Sequence, residues 1–217
     1  MPVQVSFEKS KLRGRNGTLI IILMPVVNIA IFALVLLQVI PDFGMYLPIA
    51  LGIPVYAGHV LFLSAMKGFG KYYYDSGIFK NSLYGFITNV VSVISYMTLI
   101  YGFMVPEMDR ISASIIIGTP PDLSTIVYIF QILLFLFLAV FVTMLVQALF
   151  YRRSFRGLAE KSGEGNFSTA GTLMLIGGVL AIILVGVLVF FIGWIFTLKG
   201  FYSMKAKTNH AVEKELL

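Results

Sequence analysis

One stretch constrains this chain more than any other. From Ile126 to Phe150 it reads "IVYIFQILLFLFLAVFVTMLVQALF", dominated by Leu, Ile, Val and Phe and without a single charge. A run of that length and polarity is read as a helix that crosses a bilayer, because about 20 apolar residues span a hydrocarbon core of about 30 Å. At roughly −0.3 to −0.6 kcal/mol per large apolar residue, insertion is favourable by on the order of 5–10 kcal/mol, which Gln131, Thr143 and Gln147 only partly offset. The rest of the 217 residues follow the same pattern: 59% are hydrophobic and only 12% charged, against about 25% charged in a soluble domain. The fold class is therefore all-α, a polytopic transmembrane helix bundle.

Residues 1–17 read as a basic cytoplasmic tail with Lys9, Lys11, Arg13 and Arg15. Spans are expected at 18–40, 43–66, 82–105 and 125–150, within a membrane domain covering 18–204, with a polar C-terminal tail at 205–217. A turn at Pro41-Asp42-Phe43-Gly44 joins the first two. The 23-residue first run exceeds a signal-peptide core, and no small-residue cleavage site follows it, so it reads as a retained span. An acidic loop at 106–124 holds Glu107, Asp109 and Asp122, with Asp122 or Ser124 placed to cap the following helix.

The last apolar run, Gly171 to about Met204, is too long for one span. Thirty-four helical residues extend about 51 Å. Read as a short hairpin it gives six spans; read as one helix it gives five. Charge favours the hairpin: all the Lys and Arg residues except Arg110 then lie on the cytoplasmic side, as the positive-inside rule requires. The turn is expected between Gly186 and Gly193, with Trp194 at the far interface. Both N-glycosylation sequons, at Asn16 and Asn166, fall on the cytoplasmic side and are expected to stay unmodified.

Two connectors share a composition. "KGFGKYYYDSGIFKNSLYG" (67–85) and "YRRSFRGLAEKSGEGNFSTA" (151–170) both begin with aromatic and basic residues and continue through Ser-Gly and a Phe. Tyr151 and Phe155 are expected at headgroup depth with the tyrosine triplet. Lys67, Lys71, Tyr72, Tyr73, Tyr74, Arg152, Arg153 and Arg156 are candidates for contact with lipid phosphates or a partner, with interfacial anchoring as the simpler role. Candidates for a polar pathway are Asn28, His59 and Asn89; a histidine satisfied within the bundle is the simpler account of His59. The small residues Gly85, Thr88, Ser92, Ser95 and Gly102 share a face of the third span and suit close helix packing with hydroxyl bonds across the contact.

No catalytic motif is present, the spans contain no Asp or Glu, and the chain has no Cys and two His. No enzyme activity, cofactor or metal is expected. The +6 charge is assigned to topology and anionic lipid rather than nucleic acid. Expected partners are membrane lipids and either a membrane-protein partner or a second copy. The expected location is the cell membrane, with the N-terminus and, on the hairpin reading, the C-terminus cytoplasmic. A non-enzymatic scaffold or accessory subunit is the leading expectation, with a small-solute transporter or channel as the alternative.

"DSGIFKNSLYGFI" at 75–87, "FYRRSFRGLAEKSGEGNFSTAGTLMLIGG" at 150–178 and "FFIGWIF" at 190–196 also resemble an uncharacterised archaeal integral membrane family, known only as a domain of unknown function. The similarity extends over about 67–205. It implies a multi-span archaeal membrane protein and brings no activity, cofactor or catalytic residue.

Overall fold

The computed structural model describes residues 2–37, 46–118, 122–183 and 185–206. The turn expected at 41–44, the Pro120-Pro121 pair and the tail beyond residue 206 lie outside them. Every regular element described is helical. The helices are α1 (Pro2–Leu36), α2 (Tyr46–Tyr72), α3 (Ser76–Leu99), a π-helical turn (Ile100–Met104) leading into α4 (Val105–Ile116), α5 (Leu123–Ser162), α6 (Gly165–Leu180), a 3-10 turn (Ala181–Ile183) and α7 (Val185–Ser203). Among the described residues, five segments are long and apolar enough to cross a membrane: Ser6–Val35, Ser76–Ile116, Leu123–Ser162, Gly165–Ile183 and Val185–Ser203. That is the signature of a multi-pass membrane protein.

The main helices pack in chain order and then close on themselves: α1 on α2, α2 on α3, α3 on α5, α5 on α6, α6 on α7, and α7 back on α1. The result is a ring of six helices at the end where α2 meets α3 and α5 meets α6, here termed the connector end. Aromatic side chains meet across its axis. The Phe62 ring lies 5.3 Å from Trp194, 6.0 Å from Phe155, 6.1 Å from Tyr151 and 6.3 Å from Phe201, centroid to centroid. Trp194 in turn meets Tyr151 edge-on at 5.3 Å. Phe62, Tyr151, Phe155, Phe167 and Phe201 are fully buried. Edge-to-face pairs of this kind add about 0.5–1.5 kcal/mol each beyond their packing area.

The expected basic tail is helical: α1 begins at Pro2 and buries Phe7 against Phe69 and Tyr72. Lys11 donates to the Met204 carbonyl at 2.6 Å and Arg13 to the Ser64 hydroxyl at 2.8 Å. These contacts tie α1 to the end of α7 and to α2. The acidic loop expected at 106–124 is helix through Ile116. Pro106 does not break it, because a proline in the first helical turn removes an N–H that α4 itself does not need. Asp122 caps α5 as expected, accepting from the Thr125 N–H at 2.9 Å. Thr125, through its side chain and its N–H, and then Ser124 hold the Asp122 carboxyl below the usual carboxylate range.

The last run is the hairpin that charge favoured, with the 3-10 turn Ala181–Ile183 following α6, whereas Gly186 and Gly193 both lie inside α7. Gly186, Gly193 and Gly200 recur every seven residues along α7. A Cβ on Gly193 would stand 2.6 Å from Met174 and one on Gly200 2.9 Å from Phe167. At Gly186 it would overlap the backbone of Gly177 and Ala181. The two helices thus approach at backbone contact, as small residues permit between apolar helices.

Candidate functional site

The tyrosine triplet divides into three roles. Tyr72 packs its ring 5.0 Å from Phe7 and 4.8 Å from Tyr73. Tyr73 stacks on Phe69, its hydroxyl is buried without a hydrogen-bond partner, and burial pushes that hydroxyl above its ordinary pKa. Tyr74 is 96% exposed and sits at φ 54°. Its left-handed backbone ends α2. The Asp75 N–H returns to the Gly70 carbonyl at 2.9 Å and the Tyr74 N–H to Lys71 at 3.4 Å, the Schellman pattern that normally places Gly at this position. Asp75 then caps α3, accepting from the Gly77 N–H at 2.8 Å. A non-Gly residue in this conformation costs about 1–2 kcal/mol. Tyr74→Gly should accordingly raise the thermal unfolding midpoint in detergent, a stabilisation of about 1 kcal/mol, while leaving the helical signal unchanged.

Lys67 and Lys71 are exposed on α2, with the Lys67 ammonium 5.9 Å above the Phe79 ring. Arg152, Arg153 and Arg156 point outward from α5, and Arg156 pairs with Glu160 at 2.8 Å. The expected second connector is thus mostly helix: α5 runs on to Ser162 and ends at Gly163 with φ 77°. Only Gly163 and Glu164 separate it from α6. Glu164 accepts from the Asn166 N–H and side-chain amide. Partial burial works to raise its pKa, but Ser203, Asn166 and Lys199 outweigh it, and the carboxyl sits below its ordinary value.

The opposite face of the same segment builds the core. Tyr151, Ser154, Phe155 and Leu158 are buried at the i, i+3, i+4, i+7 spacing of one helical face. Tyr151 and Phe155 are therefore not headgroup anchors. Trp194 belongs with them, 5% exposed, and not at the far interface. Ser154 donates to the Ile78 carbonyl at 2.6 Å and shares a 2.7 Å hydrogen bond with Ser82, joining α5 to α3. The two connectors do meet, through this serine pair and the aromatic core, beneath an exposed basic rim.

The pathway candidates are not assembled into one site. His59 on α2 is 4% exposed and its Nδ1–H donates to its own Val55 carbonyl at 2.9 Å. Its ring lies 5.8 Å from Trp194 and 5.5 Å from Phe86. It is satisfied within α2 rather than across to a neighbouring helix. Asn28 has a buried Oδ1 without a hydrogen-bond partner, but it lies on α1. Asn89 is partly exposed on α3, and α1 and α3 are not packed neighbours. Of the small residues on α3, Gly85 packs on the Tyr151 ring, whereas Gly102 faces open space. Thr88, Ser92 and Ser95 return their hydroxyls to carbonyls of their own helix. The bonds that do cross to α5 come from Ser82 and from Tyr96, which reaches Thr143.

The Tyr151 hydroxyl is buried without a hydrogen-bond partner among the described residues. Among the described residues, no cluster of His, Asp and Glu has the composition to hold a metal ion. The arrangement as a whole is an aromatic, closed core of a membrane helix bundle, ringed at one end by exposed cations.

The chain belongs to the family described as "Protein of unknown function (DUF996)", which matches residues 54–195. The match opens inside α2 and leaves α1 outside it. A relative in Methanocaldococcus jannaschii, "Uncharacterized protein MJ1644", is 29% identical over 156 residues, covering 70% of this chain and 80% of the relative. No solved structure matches the chain.

Proposed function

We propose that the chain is a non-enzymatic scaffold or accessory subunit of the cell membrane, with both termini and the connector end in the cytoplasm. The observation that carries this reading is the closed axis. Phe62, Tyr151, Phe155 and Trp194 fill the centre of the six-helix ring, where a conduit for a polar solute needs water or polar groups. Outside that core, α5 exposes large apolar side chains along its first half, among them Phe130 at 68% and Phe135 at 66%. These suit lipid or the transmembrane helix of a partner or second copy.

The basic rim completes the reading. Lys67, Lys71, Arg152, Arg153 and Arg156 stand at the cytoplasmic surface and bind anionic headgroups, each cation contributing about 1 kcal/mol near such a surface. A transporter or channel is the second reading. The specific observation in its favour is the buried, unpartnered Oδ1 of Asn28, a polar atom of the kind that lines pathways in membranes.

Reconstituted proteoliposomes separate the two. The scaffold reading expects no solute flux above empty vesicles, the same result for His59→Ala, and a membrane protein or second copy retained in a mild-detergent pull-down. Flux that disappears in His59→Ala would establish transport instead. Alanine at Arg152, Arg153 and Arg156 together should weaken retention on anionic vesicles severalfold; unchanged retention would remove the lipid role.

A further inference from the structure

By length and composition alone, α6 and α7 can each cross a membrane. How deep they reach is set by their register against α5, and several contacts fix it. A Cβ on Gly171 would stand 3.1 Å from Arg152 Cα, and one on Gly178 3.2 Å from Leu145 Cα and 2.9 Å from the Ala148 side chain. Climbing α6 from 171 to 178 thus descends α5 from 152 to about 145. Continuing through the 3-10 turn, which also packs on α5, brings Ile183 level with roughly residue 140 of α5, about 18 Å from Arg152.

The other boundary comes from α3. Ser82 meets Ser154, Gly85 meets Tyr151, and Tyr96 meets Thr143 and the Ala139 carbonyl. Extending that register past the π-helical turn puts Glu107 level with roughly residue 130 of α5 and Asp109 and Arg110 slightly beyond it. The uncharged layer between Arg152 and that level is about 33 Å thick, close to the hydrocarbon core of about 30 Å. The 3-10 turn Ala181–Ile183 falls near its middle. α1 is consistent with the same layer. Gly14 packs on Phe201, Phe201 on Phe167 and Phe167 on Phe155. The remaining 22 residues to Leu36 climb about 33 Å.

We infer that α6 and α7 form a re-entrant hairpin. It enters from the basic connector side, turns near the bilayer midplane and leaves on the side it came from. Of the described helices, α1, α2, α3 and α5 then cross, so the described bundle has six helices in the leaflet of the connector end and four in the other. The inference rests on packing register and stands independently of the proposed scaffold role. It also resolves the length problem. Gly171 to Leu180 rises only about 14 Å, too little for a crossing, while both ends of the hairpin still lie with the basic residues as the charge distribution demands. Irregular backbone in hydrocarbon is costly unless sheltered, and this turn is compact. Gly186 and Gly177 meet backbone to backbone, and the flanking Ile182, Ile183 and Val185 present apolar side chains outward.

The chain has no Cys, so single cysteines report position without background. Ile183→Cys and Ile182→Cys, both at exposed positions, should be nitroxide-labelled in the full-length protein and reconstituted in phospholipid vesicles. Val142→Cys marks the same level on α5, and Phe130→Cys the far boundary. The expected result is an oxygen-to-nickel-complex accessibility ratio at 182 and 183 equal to that at 142 and well above that at 130. Neither site should react with a membrane-impermeant maleimide from either face, whereas Asp109→Cys should react from the face opposite the connectors. A ratio at 183 matching that at 130, or maleimide labelling of 183 from the Asp109 side, would show a hairpin that crosses completely and overturn the inference.

Discussion

Phe62→Ala should destabilise the bundle by about 3–5 kcal/mol, the range for removing a buried aromatic ring. Phe62 is fully buried and touches Tyr151, Phe155, Trp194 and Phe201 at once. Those residues come from α5 and α7, neither of which packs its backbone against α2. The ring therefore joins opposite sides of the bundle at that level. Its loss leaves a void that the surrounding helices cannot close without leaving their own neighbours. Phe32→Ala provides the control. Phe32 is 60% exposed on α1, and its truncation should change stability by less than about 1 kcal/mol, since little packing is lost. Denaturation in mixed detergent, followed by helical signal, measures both. Equal effects at the two positions would contradict the axial core.

Gly186→Ala should cost about 3 kcal/mol, the upper end of overpacking penalties, because the added methyl meets backbone and not a flexible side-chain tip. The Gly177 carbonyl and Ala181 backbone stand where the Cβ would go, so α6 and α7 must separate along the hairpin. Gly102→Ala makes the same chemical change where nothing lies within 4 Å. It should be neutral or stabilising by up to about 1 kcal/mol, since Ala has the higher helix propensity. A Gly186 variant as stable as the Gly102 variant would contradict the backbone contact.

Much of the architecture was legible from composition. Uninterrupted apolar runs gave the helices, the placement of Lys and Arg favoured the hairpin over a single long helix, and Asp122 was identifiable as a cap. The boundaries were less legible, for particular reasons. Pro106 suggests a helix break, yet a proline at the start of α4 is harmless. The segment 151–162 looks like a polar connector because Arg152, Arg153 and Arg156 dominate it. Its helical signal lay in Tyr151, Ser154, Phe155 and Leu158, whose spacing marks one buried face. Tyr74 could not be identified as the turn residue, since Gly usually occupies that left-handed position.

The candidate contact residues divide along the same line. Lys67, Lys71, Arg152, Arg153 and Arg156 are exposed at the connectors, and exposed charge follows directly from composition. Tyr151 and Trp194 were assigned to lipid interfaces, where amphipathic rings are common, but here they are buried in the core, with Tyr72 and Tyr73 half-buried against it. Nothing local distinguishes those fates. The choice depends on whether a neighbouring helix offers a small residue, as Gly85 does to Tyr151, and that is a property of the tertiary arrangement.

Trp194 is the chain's single tryptophan and sits at the centre of the aromatic axis, 5% exposed. Its fluorescence in reconstituted vesicles therefore tests the closed core most directly. The structure predicts blue-shifted emission that neither aqueous acrylamide nor acyl-brominated phospholipid quenches. Quenching by acrylamide would reveal a water-filled axis, and quenching by brominated lipid would place the indole on the lipid-facing surface; either result would contradict the packed ring.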